Sequence, residues 1–274
     1  MLLESMKGRK NVWIGCLVCI FVLVACSDDD FHPVAEKEGP VVLLVTGSLI
    51  ADDFFDVMSR RLAKAGFRPV VFQPPDLLTE SLEIGARRIS DAVAETLSTY
   101  GQDRVHIVAE CNGGIASRYF VEKLGGFEYV DRFISFVSAH NGTRFFKIPW
   151  YDALADIRPG SPFMEKLENS IPPENTTTEI SIYVCNDEIM DPYTSPRLPG
   201  AALNIEVCDA AFDLRALERE PYDVKSLIGG MLIRLYPLHL SGFWDEPFFR
   251  LVLSCISDDV DTIREFDLLD VSFY

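Results

Sequence analysis

Val41-Val42-Leu43-Leu44-Val45 places five apolar residues in a row with no polar alternation. A strand that faces water on one side alternates, whereas an unbroken run is buried on both faces, as in a parallel sheet covered by helices. Further strand signals follow at Pro69 to Phe72, Val105 to Ala109, Phe133 to Val137, Ile180 to Val184 and Leu203 to Val207. Between them the spacing turns helical. Asp53 to Gly66 carries Phe54, Val57, Met58, Leu62 and Ala65 on one side, with Gly66 as a stop, and Ser81 to Tyr100 repeats Leu82, Ile89, Val93 and Leu97. Strands alternating with helices predict an α/β fold, a mostly parallel central sheet with helices on both faces. Residues 143–178, rich in Pro, Phe, Trp and Thr, break the rhythm and read as a lid-like insertion between two strands. Phe145, Phe146, Trp150 and Tyr151 are its candidate cleft contacts.

The chemistry concentrates at Val108-Ala109-Glu110-Cys111-Asn112-Gly113-Gly114, between an apolar strand and a helix-like stretch from Ile115 to Leu124. Small residues at Ala109 and Gly113 let the turn tighten until the side chain between them is forced into a cleft, the geometry of a nucleophile elbow. That side chain is the thiol of Cys111. A helix N-terminus lowers a thiol pKa, and the neighbouring Glu110 raises it.

The N-terminus points to export. Lys7, Arg9 and Lys10 precede an apolar stretch, Val12 to Ala25, that is short for a spanning helix. Leu23-Val24-Ala25-Cys26 resembles the lipobox of bacterial lipoproteins, which implies a signal peptide at 1–25, lipidation of Cys26, a tether at 26–40 and a domain at 41–274. An uncleaved N-terminal anchor is the alternative. Asp28-Asp29-Asp30 resembles the surface-export signals of some lipoproteins and reads equally as a solvated linker. Either way the protein is expected in the cell envelope, held at a membrane, with the leaflet left open. The formal charge is −17, and loss of residues 1–25 would remove three basic side chains against one acid. So acidic a chain repels phosphate backbones, which excludes nucleic acid as a partner, and it needs acyl chains to adhere to anionic lipid.

Cys111, Cys185, Cys208 and Cys255 follow Cys26. They show no CxxC or Cys/His spacing, so neither metal nor cofactor is expected. Cys185 and Cys208 each end a predicted strand. They are expected as buried free thiols, with a disulfide as the alternative in an exported chain.

Five segments, in order, resemble the α/β-hydrolase fold and within it the bacterial triacylglycerol lipases. Val45-Thr46-Gly47-Ser48 is similar to their strand into the oxyanion loop, and Ala109 to Gly114 to their Gly-His-Ser-x-Gly-Gly. Ser138-Ala139-His140-Asn141-Gly142-Thr143 resembles Thr-Pro-His-x-Gly-Thr. Asp156 to Phe163 resembles a further lipase segment, and Asn186 to Pro192 the Asp-x-x-Val-x-Pro acid loop. The resemblance implies Cys111 as nucleophile, Asp187 as orienting acid with Asp191 as the fallback, and an oxyanion hole from the backbone N–H groups of Asn112 and the loop near Ser48. Cysteine in the elbow also occurs in dienelactone hydrolases. The family's base falls at Ala211, which cannot accept a proton. Of the four histidines, His32 lies in the tether, His106 in a strand, and His140 at a motif position that is not the base. His239 alone keeps nucleophile–acid–base order and is the candidate displaced base. Asp213 matches a calcium ligand of some lipases but has no partner. The expectation is a membrane-tethered lipase or esterase relative acting on a lipid or small ester, its hydrolysis weakened or lost. The alternatives are a lipid- or acyl-binding pseudoenzyme and an envelope scaffold lipoprotein.

Overall fold

The computed structural model describes residues 31–33, 39–168, 172, 174–208, 239, 246–266 and 271–274. Eight strands form one sheet: β1 (Phe31–Pro33), β2 (Val41–Val45), β3 (Arg68–Phe72), β4 (Val105–Glu110), β5 (Val130–Phe136), β6 (Thr178–Val184), β7 (Leu203–Val207) and β8 (Val271–Phe273), in the order β1-β3-β2-β4-β5-β6-β7-β8. Strands β2 to β7 pair in parallel, and only the edges β1 and β8 run antiparallel. All five residues of β2 are fully buried, as an unbroken apolar run requires.

Among the described residues, helices α1 (Asp56–Lys64), α2 (Leu82–Tyr100), α3 (Cys111–Lys123), α4 (Asp152–Asp156), α5 (Pro162–Glu168), α6 (Glu246–Ser257) and α7 (Val260–Ile263) flank the sheet. Helix α2 starts where Ser81 accepts the Glu83 N–H and stops at Gly101, whose φ of 63° suits a residue without Cβ. Its stripe of Leu82, Ala86, Ile89 and Val93 is buried, and it packs on α3; α1 packs against α6. Phe248 of α6 meets Phe136 of β5 with ring centroids 4.6 Å apart, and burying a ring of that size contributes about 1.5–3 kcal/mol. Together these elements form a mostly parallel sheet with helices on both faces, an α/β-hydrolase fold.

Four details differ from expectation. Asp53 to Gly66 begins as a 3₁₀ turn, Asp52–Phe55, before α1. Phe31–Pro33, inside the expected tether, pairs with β3. Strand β8 had no sequence signal, being only three residues long. Cys185 and Cys208 are bonded as a disulfide rather than free thiols, because parallel pairing of Val184 with Val207 brings the strand ends side by side. Cys255 is buried and free. Cys26, Ala211 and Asp213 lie outside the described residues, as do all of residues 1–25. Among the described residues, no helix is long and apolar enough to cross a membrane.

A buried ionic group underlies the elbow helix. Arg118 Nε bonds Glu122 Oε1 at 2.7 Å and its Nη1 donates to the His140 carbonyl at 3.1 Å. Glu179 of β6 accepts from Asn175 at 2.8 Å. Burial and the nearby Glu122 charge push Glu179 up to about 7.

Candidate active site

Parallel pairing aligns the carboxyl ends of β2, β4 and β6, the edge of an open α/β sheet where ligands bind. Strand β4 ends at Glu110, and α3 begins at Cys111 with φ 50°. A non-glycine residue in that region is strained, and the strain projects the sulfur out of the strand-to-helix turn. Gly113 makes the turn possible, since a Cβ there would stand 2.5 Å from the Thr46 carbonyl oxygen.

The expected acid, Asp187, lies in the β6–β7 connection. Asn186 turns the chain at φ 59°, and Asp187 follows, buried. Its Oδ1 accepts the Ile189 N–H at 3.0 Å, and its Oδ2 lies 2.7 Å from His239 Nδ1. A second contact fixes the same histidine, because Glu188 Oε2 accepts its backbone N–H at 3.1 Å. The other ring nitrogen, Nε2, faces Cys111 and stands 3.7 Å from Glu110 Oε1. Cys111, His239 and Asp187 therefore adjoin in that order, with the imidazole between sulfur and carboxylate.

Electrostatics around the sulfur are contested. Burial first, then the Glu110 charge, push the Cys111 thiol up, while His239 and the Asn112 N–H that reaches the sulfur pull it down. The expected lowering by the helix N-terminus is thus outweighed by desolvation. Burial disfavours a charged His239, yet Asp187 and Cys111 prevail and hold the ring well above its ordinary value. Glu110 is pushed up to about 7 by burial, against the pull of His239 and the Gly47 N–H.

The two expected oxyanion donors are tied together. Asn112 Nδ2 donates to Ser48 Oγ at 2.8 Å, and Ser48 Oγ donates to the Leu78 carbonyl at 2.7 Å. Tyr151, from the insertion, also hydrogen-bonds the Ser48 side chain, and burial, then the Cys111 charge, raise its phenol. Of the other insertion aromatics, Phe146 packs on the core, whereas Phe145 and Trp150 are exposed.

The remaining candidates are engaged elsewhere. His140 is fully buried, with Nε2 2.7 Å from Ser135 Oγ, and burial, then Arg118, hold it well below its ordinary value. His106 meets Phe67 edge-on at 6.3 Å, and His32 sits in edge strand β1. Asp191 is exposed, and its backbone N–H and carbonyl bond Thr143 and Arg144. Glu110 and Glu188 are the site residues that sequence motifs did not single out. The only hint of Glu110 was its place beside Cys111, and nothing local marked Glu188 as a partner for a histidine 51 positions away.

No family model and no curated protein matches this chain. Solved structures do resemble it. Aspergillus fumigatus lipase B is similar at 19% identity with a TM-score of 0.56, covering 62% of this chain and 45% of its own. The Bacillus licheniformis lipase BlEst2 is similar in its mature form at 17% identity with a TM-score of 0.51, covering 62% of this chain and 83% of its own. Its propeptide form gives 16% identity and a TM-score of 0.52, covering 63% and 46%. The chain thus spans less than half the length of the Aspergillus lipase. What these proteins share with it is the α/β-hydrolase fold.

Proposed function

We propose that this protein is a cysteine-dependent carboxylic-ester hydrolase of the lipase/esterase kind, with Cys111 as nucleophile, His239 as base and Asp187 as the orienting acid. The observation that carries the reading is the 2.7 Å contact between His239 Nδ1 and Asp187 Oδ2, with Nε2 turned toward Cys111. A buried carboxylate on Nδ1 aims Nε2 at the sulfur and stabilises the imidazolium that forms when Nε2 takes the thiol proton, the role a base requires. The expectation of weakened or lost hydrolysis rested on cysteine in place of serine and on Ala211 in place of the base; an imidazole from a later position beside Cys111 speaks against the second ground.

In this mechanism His239 Nε2 takes the thiol proton as the sulfur attacks the ester carbonyl carbon. The N–H groups of Asn112 and Ser48 receive the negative oxygen. Collapse expels the alcohol, which takes the proton from His239, and leaves a thioester on Cys111. Water then loses a proton to Nε2 and attacks the thioester carbonyl, releasing the acid and restoring the thiol. Because burial keeps the resting thiol protonated, proton transfer to His239 accompanies attack rather than preceding it.

The ligand class is a lipid or small ester, for which exposed Phe145, Ile148 and Trp150 supply apolar surface on the insertion. Lipidation at Cys26 and an envelope location are part of the same proposal. The Cys185–Cys208 disulfide supports them, since such bonds persist in oxidising compartments.

Turnover of p-nitrophenyl esters in the presence of a chelator tests the reading. Cys111→Ala is expected to lower kcat by at least about 10³-fold, the scale on which losing a triad member acts. Turnover unchanged by Cys111→Ala sinks it. A co-purifying lipid without any turnover would favour the acyl-binding alternative.

A further inference from the structure

Three donor atoms converge beside the elbow. Cys111 Sγ, His239 Nε2 and a carboxylate oxygen of Glu110 all lie within 4.8 Å of one another. Two of them, Glu110 Oε1 and His239 Nε2, are buried without a hydrogen-bond partner. Buried polar atoms are satisfied in the great majority of cases, so a facing pair of such atoms calls for an occupant. Ester hydrolysis employs the sulfur and the imidazole but assigns nothing to Glu110.

We propose that Glu110, Cys111 and His239 form a binding site for one zinc-class divalent cation, with the fourth coordination position open to the cleft.

The donor chemistry selects the metal. Thiolate sulfur, imidazole nitrogen and one carboxylate oxygen suit zinc and its neighbours, whereas calcium and magnesium take all-oxygen sets. Three protein ligands with a vacant fourth position is the pattern of zinc sites that keep a water. The geometry is close to closed: two bonds of about 2.1 Å at the tetrahedral angle set their donors about 3.4 Å apart. Glu110 Oε1 and His239 Nε2 stand at 3.7 Å.

Two of the three ligands are also already oriented from behind. Asp187 holds His239 through Nδ1 at 2.7 Å, the arrangement that aims a histidine at a metal. The Gly47 N–H holds Glu110 Oε2 at 2.9 Å, leaving Oε1 to point inward. Charge runs the same way. Two carboxyl groups and a thiol surround a single imidazole, a nest that a divalent cation would neutralise. Binding would release the thiol proton to solvent and leave a sulfur–metal bond. Sequence spacing conceals the site, because the third ligand comes from 128 positions beyond the second.

The site stands on these atoms and does not need the hydrolase reading. If both hold, metal binding and thiol chemistry exclude each other, since both use the Cys111 sulfur and the Nε2 lone pair.

Cobalt(II) is the probe. The purified full chain, stripped of metal and kept free of reductant so that the Cys185–Cys208 disulfide stays closed, is titrated with Co²⁺. One equivalent is expected to raise an intense thiolate-to-cobalt charge-transfer band, and Zn²⁺ is expected to displace it. Cys111→Ser should abolish the band, and Cys255→Ser should leave it. Asp187→Asn should weaken affinity about 10–100-fold, as loss of a ligand's orienting partner does. No band at saturating Co²⁺, or a band that survives Cys111→Ser, overturns the proposal. Ester turnover in chelator is read separately, so failure of the metal site and failure of the hydrolase reading give different results.

Discussion

Glu188 Oε2 accepts the backbone N–H of His239 at 3.1 Å, one residue along from the carboxylate that bonds its ring. The acid loop therefore grips the histidine at both main chain and side chain. One contact sets where the residue sits, and the other sets which way the imidazole faces and which nitrogen carries the proton.

These two grips are expected to separate in mutant kinetics. Asp187→Asn removes the charge that selects the tautomer and should lower kcat by about 10³–10⁴-fold. Glu188→Ala removes one acceptor worth about 0.5–1.5 kcal/mol, a loss of about 2–10-fold. Asp191→Asn, at an exposed position, should leave kcat unchanged. Steady-state rates on one p-nitrophenyl ester compare all three, and an Asp191 effect as large as that of Asp187 would reassign the acid.

Sequence patterning reveals most of this fold because period and burial are local. Val41 to Val45 announces a doubly covered strand, and Ser81 to Tyr100 announces a capped helix, whatever the rest of the chain does. Edge strands β1 and β8 escape because three residues carry no period. The site is less legible for a related reason. Cys111 is marked by its own turn, and Asp187 by the loop around it. His239 meets Asp187 only across 52 positions, and no local pattern encodes such a contact. The family's motif puts the base at Ala211, and only the nucleophile–acid–base order of the chain singles out His239 as a candidate for a displaced one. The disulfide was underestimated in the same way, since it depends on the β6–β7 register rather than on the spacing of the cysteines.

Gly113 and Gly101 should fail differently when changed to alanine. At Gly113 the new Cβ meets the Thr46 carbonyl at 2.5 Å, backbone that cannot swing aside. Gly113→Ala should destabilise by about 1–3 kcal/mol and reduce kcat, because the shift passes into the elbow and the loop of Ser48. At Gly101 there is open space but a φ of 63°, so Gly101→Ala should cost about 1 kcal/mol with kcat intact. Urea denaturation midpoints beside ester turnover read the two effects, and a normal kcat in Gly113→Ala would contradict the tight elbow.

Glu179 gives stability a pH dependence of definite sign. Burial and Glu122 raise its folded pKa from 4.5 to about 7. A carboxyl raised on folding prefers its proton in the native state. Its contribution is fully present below about pH 4.5 and is lost as pH rises through about 7. His140 works in the opposite direction, since its folded pKa is lowered and its stabilisation fades as pH falls below its ordinary 6.5. The Glu179 part is isolated by comparing the chain with Glu179→Gln. The stability difference between them should change by about 1–3 kcal/mol across that window in urea titrations at fixed ionic strength. A pH-independent difference would show that Glu179 is ionised throughout.

The disulfide should act on stability far more than on turnover. Cys185 and Cys208 are 23 positions apart and close a loop at the ends of β6 and β7, one residue before the Asn186 turn that presents Asp187. Constraining a loop of that length in the unfolded chain is worth about 3 kcal/mol. In the folded protein the same strand ends are already held by parallel pairing up to Val184 and Val207, and by the Cys185 N–H to the Val207 carbonyl at 3.0 Å. Removing the bond should therefore leave Asp187 in reach of His239. The double variant Cys185→Ser, Cys208→Ser avoids a stray thiol and is expected to melt about 6–12 °C lower, with kcat at 25 °C within about threefold of the parent. A collapse of kcat without a fall in melting temperature would mean that the bond positions the acid loop directly, because pairing between β6 and β7 would then be too weak to hold it.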